Sequence, residues 1–305
     1  MKQYLASARN IILMLIIVWT AIFFVSFHAP KPQPAAINSP AIAEYQQSQY
    51  VRELLSPSTF TVRVKVFVSE KNKATQKEEE SLCVQGVGTA YTVSENGYFS
   101  SSNHIFDPSS RQTECLESLA KNRNVPISAL MGVRFKIEYI FTDANKISFP
   151  VDIVKTFPEI DLAVLKPKQK EASILQPLPP KWIPVQFRTG SPSIVDGKAV
   201  SGNGPFFAPD EPVAMMGTPL NLPFTLTKGT LGNNTFFEFG GIPFIHFVAP
   251  INSGNSGGPV ISLLDFKFIG MAAATKFDTG KYPTSQAGAI PFWEIQKALK
   301  EIDMK

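Results

Sequence analysis

The chain has 305 residues, of which 44% are hydrophobic, enough for a large core, and only 18% are charged. The 29 basic residues outnumber the 25 acidic ones for a net charge of +4, but Lys and Arg are scattered, without the basic stripe of a nucleic-acid binder. There is no phosphate-cradling G-x-x-x-x-G-K-S/T, no dinucleotide fingerprint after a strand, no Cys/His metal spacing and no internal repeat, so no cofactor and no metal is expected.

Residues 1–10 carry Lys2 and Arg9 and no acid. Ile11 to Phe27 then runs without a charge, close to the minimum of about 17 residues for a helix that spans a bilayer. The positive-inside rule keeps residues 1–10 in the cytoplasm and sends the rest across, with 11–28 as an anchor in the lipid bilayer. The competing reading is a cleaved signal peptide, whose apolar region is usually about 7–15 residues; this run is longer, and no small-x-small site follows closely. Residues 29–51, rich in Pro, Ala and Gln, read as a tether.

From Arg52 to Lys305, short apolar runs separated by Gly, Asn and Pro predict an all-β body. Gly86-Val87-Gly88-Thr89-Ala90 lies on one such run, and a turn at Ser94-Glu95-Asn96-Gly97-Tyr98 leads to Ser102-Asn103-His104. A helix is predicted at Glu114–Lys121. Asp161-Leu162-Ala163-Val164-Leu165-Lys166 begins a buried strand with an acid. Residues 168–212, rich in Pro and Gly, read as a linker with a surface loop. Phe292–Ile302 is apolar at every third or fourth position and predicts a closing amphipathic helix.

The strongest chemical signal is Asn252-Ser253-Gly254-Asn255-Ser256-Gly257-Gly258-Pro259-Val260. A nucleophilic serine needs exposure on a tight turn and backbone N–H groups aimed at the oxyanion formed by its attack. Alone, this segment is also an ordinary polar turn between strands. A base and an acid elsewhere in the chain decide the matter. Of the three histidines, His28 ends the N-terminal apolar run, and His246 lies on the strand leading straight into the serine loop. His104 is the remaining base candidate and Asp161 the acid. An α/β-hydrolase esterase is disfavoured: no helix follows the G-x-S-x-G letters, and the acid precedes the serine.

These segments together resemble trypsin-like serine peptidases of the HtrA/DegP type. Gly86–Ala90 and Ser102-Asn103-His104 are similar to the family's G-x-G-S/T strand and T-N-x-H, though the residue between Asn and His is missing. Asp161–Lys166 resembles the acid motif. Met216-Gly217-Thr218-Pro219 and Thr225–Leu231 resemble the hairpin, Ile251–Pro259 the nucleophile loop, and Ala287-Gly288-Ala289-Ile290-Pro291 the closing strand. The resemblance implies two six-stranded trypsin-like β-barrels, the first at about 52–167 and the second at about 213–305, followed by a C-terminal helix. It implies hydrolysis of proteins or peptides by His104, Asp161 and Ser256, with the backbone of Gly254 and Ser256 as oxyanion hole. After Pro291 the given sequence leaves no room for the family's PDZ domain.

Asn255 stands where digestive relatives carry an Asp that ion-pairs with a new N-terminus, so no proteolytic zymogen activation is expected. The primary pocket is expected from Pro250, Ile251, Asn252, Met271 and Ala272; none is acidic, which favours small or medium apolar residues before the cleaved bond. Cys83 and Cys115 flank the histidine's strand. A disulfide there would close a loop of about 30 residues; two separate buried thiols fit the sequence equally. A non-catalytic peptide-binding module is the alternative function.

Overall fold

The computed structural model describes residues 40–71, 77–130, 132–168, 181–190, 193–195, 198–201, 204–208, 210–222, 224–239, 242–273 and 286–304. The chain divides into two compact units, Met1–Gln47 and Ser48–Lys305. The apolar run Ile11–Phe27 lies outside the described residues, and among those no helix is long and apolar enough to cross a membrane. Of the expected tether, the part from Pro40 onward is helical: α1 spans Pro40–Leu55. Proline suits a first helical position, and the Ala, Glu and Gln that follow favour helix over an extended tether. At its end Val51 and Leu55, one turn apart, pack on Ala214, Met216 and Ile261.

The first barrel is built from β1 (Thr59–Lys71), β2 (Glu78–Thr92), β3 (Phe99–Ser102), β4 (Arg134–Thr142), β5 (Ser148–Phe157) and β6 (Leu162–Pro167). It closes in the order β1-β2-β3-β6-β5-β4. β1 shows why: in Thr59–Lys71 the valines 62, 64, 66 and 68 fall on alternate residues, and all four are buried. A period of two puts them on one face of a strand. Inside, Phe60, Phe99, Phe141 and Phe149 form an aromatic cluster, with Phe60 and Phe99 edge-to-face at 4.9 Å. Between β3 and β4 lie the short helix α2 (Asn103–Phe106) and α3 (Pro108–Arg123). α3 is longer than the sequence reading of Glu114–Lys121 because Asp107 caps the amides of Ser109 and Ser110 and Pro108 occupies the first turn. A disulfide between Cys83 and Cys115 ties α3 to β2.

The second barrel uses β10 (Pro212–Gly217), β11 (Thr225–Phe239), β12 (Ile242–Val248), β13 (Pro259–Ser262), β14 (Phe268–Ala273) and β15 (Gln286–Pro291). Its order is β10-β13-β14-β15-β12-β11, and β11 pairs back with β10 to close it. α4 (Phe292–Leu299) follows β15 and buries Phe292, Ile295, Ala298 and Leu299. Those residues join Tyr91, Tyr98, Phe157 and Leu162 of the first barrel and Phe244, Phe268 and Met271 of the second in one cluster between the barrels.

The stretch read as linker and surface loop is partly structural. β7 (Ser193–Val195), β8 (Lys198–Ser201) and β9 (Gly204–Pro205) extend the second sheet, and β8 meets β11 at Lys198–Thr235. Residues 181–190 run as a strap across both barrels. The Trp182 amide donates to the Glu95 carbonyl, Val185 to Thr92, and Arg188 to Phe268, while Phe268 donates to Gln186. The Trp182 ring stands 5.0 Å from Phe99 and 5.5 Å from Phe149. Arg188 pairs with Glu211, which is 2% exposed, and with Asp265. A proline- and glycine-rich stretch reads as a loop because its anchors are single residues without a period.

Candidate active site

The ladder between β3 and β6 positions the first half of the site. Its antiparallel register sets Ser102 opposite Leu162, so Asn103 and His104 begin where Asp161 ends the neighbouring turn. Asp161 follows the 3-10 turn Pro158–Ile160 in a left-handed conformation, φ 51° and ψ 39°, and is 2% exposed. It meets three donors. Its backbone carbonyl accepts the Asn103 amide at 2.8 Å. Its Oδ1 accepts the His104 amide at 2.9 Å, and its Oδ2 lies 2.8 Å from His104 Nδ1. An ionised carboxylate can only accept, so this contact puts the proton of a neutral ring on Nδ1 and leaves Nε2 as the acceptor. Ile105 and Phe106, both buried, anchor α2 in the first-barrel core. The His104 side chain is 39% exposed, on the open face.

The second half is the turn between β12 and β13. The Asn255 amide donates to Asn252, the Gly258 amide to Asn255, and the Gly257 amide to Ala272 at 2.7 Å. Gly254 has φ +99° and Gly257 φ +82°. A β-carbon at Gly254 would strike the Thr218 carbonyl; one at Gly257 would strike the Thr89 carbonyl and the Ser101 hydroxyl. Both sites therefore require glycine for conformation and for space. The turn docks on the first barrel: the Thr89 amide donates to the Ser256 carbonyl at 2.9 Å. Ser102, two residues before His104, sends its hydroxyl toward the Ala272 carbonyl at 3.5 Å.

The structure thus brings the Ser256 turn against β2 and β3 beside the His104–Asp161 pair. Ser256 is 6% exposed, and among the described residues no hydrogen bond joins its Oγ to His104. Catalytic hydrogen bonds are often loose without substrate. Among the described residues, neither the Gly254 nor the Ser256 amide donates to a backbone group. The Asn255 side chain is fully buried, and neither its amide oxygen nor its nitrogen has a partner among the described residues. His246, on β12, is placed apart from this arrangement, in close packing with Gly232. Burial holds its imidazole below the usual range. No group of three or more His, Cys, Asp or Glu side chains suited to a metal is found among the described residues.

The five expected pocket residues divide. Pro250 and Asn252 are exposed, and Ile251 is partly buried beside the second-barrel core. Met271 and Ala272 are fully buried: Met271 faces the cluster between the barrels and Ala272 the second-barrel core. Their side chains offer no surface to a substrate, which corrects the expectation. On a strand covered on both faces, sequence does not tell which residues border a cleft.

Two site residues escaped the sequence reading. Thr89 and Thr218, one from each barrel and both fully buried, converge on the Gly254 carbonyl, at 2.7 and 3.2 Å. Each stands beside a glycine in a motif quoted above, but nothing local marks them as partners. No curated protein matches the chain. The model of the trypsin-like peptidase domain matches residues 88–271, more than half of the 305, and the chain belongs to that family.

Proposed function

We propose that the chain is a serine endopeptidase of the HtrA/DegP type that cleaves proteins with a His104–Asp161–Ser256 triad. The observation that carries this is the docking of the Ser256 turn on β2 and β3, beside a histidine whose Nδ1 is held by a buried carboxylate. Ser256 Oγ attacks the scissile carbonyl as His104 Nε2 takes its proton. Asp161 keeps the ring in that tautomer and stabilises the cation. The N–H groups of Gly254 and Ser256 receive the developing oxyanion, one such donor lowering the barrier by about 3–4 kcal/mol. His104 then passes its proton to the leaving amine. Water attacks the acyl-enzyme with His104 again as base.

Specificity for small or medium apolar residues is part of this reading. It rests on Pro250, Ile251 and Asn252, the expected pocket residues that are not fully buried, none of which is acidic, since an unpaired Lys or Arg would be costly to bury. Anchoring of the catalytic body outside the cytoplasm rests on the uncharged run Ile11–Phe27 behind Lys2 and Arg9. Reporter fusions after Gln49 should be active only when exported; a soluble mature chain beginning after Phe27 would replace the anchor with a cleaved signal.

The buried Asn255 carboxamide, without a partner among the described residues, favours a second reading, a peptide-binding module that does not hydrolyse. Incubation with a mixed peptide library separates the two. The enzyme reading expects cleavage after Ala, Val, Ile or Leu that is absent in Ser256→Ala. Dominant cleavage after Lys or Arg would overturn the pocket argument, and binding without cleavage would support the module.

A further inference from the structure

We propose that Thr89 is a positioning residue for the Ser256 turn and acts through the Gly254 carbonyl; this rests on the reading of Ser256 as nucleophile. Thr89 belongs to β2 of the first barrel and Thr218 follows β10 of the second. Each hydroxyl has one proton to give. The shortest contacts assign Thr89 Oγ1 to the Gly254 carbonyl at 2.7 Å and Thr218 Oγ1 to the Gly88 carbonyl at 2.8 Å. Thr89 Oγ1 then accepts the Thr218 amide at 3.1 Å. The hydroxyl–hydroxyl contact and the Thr218–Gly254 contact, both 3.2 Å, are the longer alternatives. With this assignment every proton has one acceptor, and the hydroxyl that grips the Gly254 carbonyl comes from the other barrel.

The consequence follows from the planarity of the peptide. The Gly254 carbonyl and the Asn255 amide share one plane, so fixing the carbonyl fixes the torsions on both sides of it. With Gly254 at φ +99°, this peptide is the link between the two peptides that carry the Gly254 and Ser256 N–H groups, so its orientation bears on how those two groups stand to each other. The same turn carries a cost, because the buried Asn255 carboxamide has no partner among the described residues. Rotation of the Gly254–Asn255 peptide would break its Asn255 amide bond to Asn252 and change the torsions that relate the Gly254 and Ser256 N–H groups. The Thr89 hydroxyl opposes the rotation. Its own backbone is held independently, by its amide on Ser256 and by the Ser101 hydroxyl on its carbonyl at 2.6 Å. Removing the hydroxyl therefore leaves the docking of the turn in place and tests orientation alone.

Thr89→Val keeps the shape and removes the hydroxyl; Thr89→Ser keeps the hydroxyl. For wild type and both variants, kcat and KM on a cleaved peptide, the rate of fluorophosphonate labelling and the Tm are measured. We expect Thr89→Val to lower kcat and the labelling rate about 10- to 100-fold, with KM within about threefold, and Thr89→Ser to recover most of both. Should Thr89→Val not fold, Thr89→Ala is read in the same way. A Thr89→Val protein with rates within about twofold of wild type, whether or not its Tm falls, overturns the proposal. So does a loss that Thr89→Ser fails to restore. Wild type that never labels overturns the Ser256 reading itself, whereas labelled wild type with an unaffected variant overturns Thr89 alone.

Discussion

The two barrels hold their shares of the site by different means. On the first-barrel side, the buried Asp161 meets the Asn103 amide with its backbone carbonyl and the His104 amide and ring with its carboxylate, all within 3 Å over a single step of the β3–β6 ladder. On the second-barrel side, the Ser256 turn is tied to β14 by the Gly257 amide on the Ala272 carbonyl and the Ala272 amide on the Gly258 carbonyl. It is held further by two left-handed glycines and, from the opposite barrel, by the Thr89 amide and hydroxyl, while the Asn255 carboxamide has no partner among the described residues. The acid–base pair is thus a local product of one sheet. The nucleophile's geometry is a tertiary product, held from both barrels at once.

The largest effects should come from the reacting groups on either side. Ser256→Ala and His104→Ala should each lower kcat by about 10⁶-fold, and the double variant by no more, because the two act as a unit. Asp161→Asn should cost about 10⁴-fold. Near-normal peptide cleavage by His104→Ala would end the assignment and send the search to His246.

Next in size is the first-barrel staple. Replacing Cys83 and Cys115 by Ala together should lower unfolding stability by about 3–4 kcal/mol, given a separation of 32 residues. Because the bond lies on the locally held side, the rate per folded molecule should stay near wild type in assays below the transition. An equal fall in rate would show that the His104 side is less self-contained than the ladder implies.

Gly257→Ala sharpens the contrast from the other side. A β-carbon there would meet the Thr89 carbonyl and the Ser101 hydroxyl at φ +82°. Stability should fall by more than about 1 kcal/mol, and kcat should fall with it as the barrels part. Wild-type activity would mean that docking does not set the serine's geometry.

The smallest effect concerns pH. Burial holds His246 below the usual imidazole range, so the folded state takes its proton less readily than the unfolded chain. Above pH about 6.5 neither state carries it and nothing changes. As pH falls through about 6.5 the unfolded chain is protonated first, and stability declines until the folded-state value is passed. Tm followed from pH 7.5 to 5 should drop less in His246→Gln than in wild type; equal drops would contradict the burial argument.

What was legible in the sequence divides along the same line. His104, Asp161 and Ser256 each sit in a short segment whose own letters state its chemistry. The valines of β1 announce their strand by period. The closing helix reads correctly from its spacing, over Phe292–Leu299. Thr89 and Thr218 were visible only as members of glycine-containing motifs, since their meeting depends on barrel docking. Trp182 and Arg188 anchor a strap as isolated residues within a proline-rich stretch, and an isolated residue has no period. Met271 and Ala272 were placed beside a pocket because they follow the nucleophile loop, but β14 is covered on both faces and buries them.

The central claim is that the docked turn makes Ser256 a nucleophile served by His104. Fluorophosphonate labelling of the folded chain, followed by peptide mapping, tests it most directly. The account predicts a single adduct on Ser256, abolished in Ser256→Ala and strongly slowed in His104→Ala. A folded wild-type chain that takes up no label, or takes it up on another residue, would contradict it.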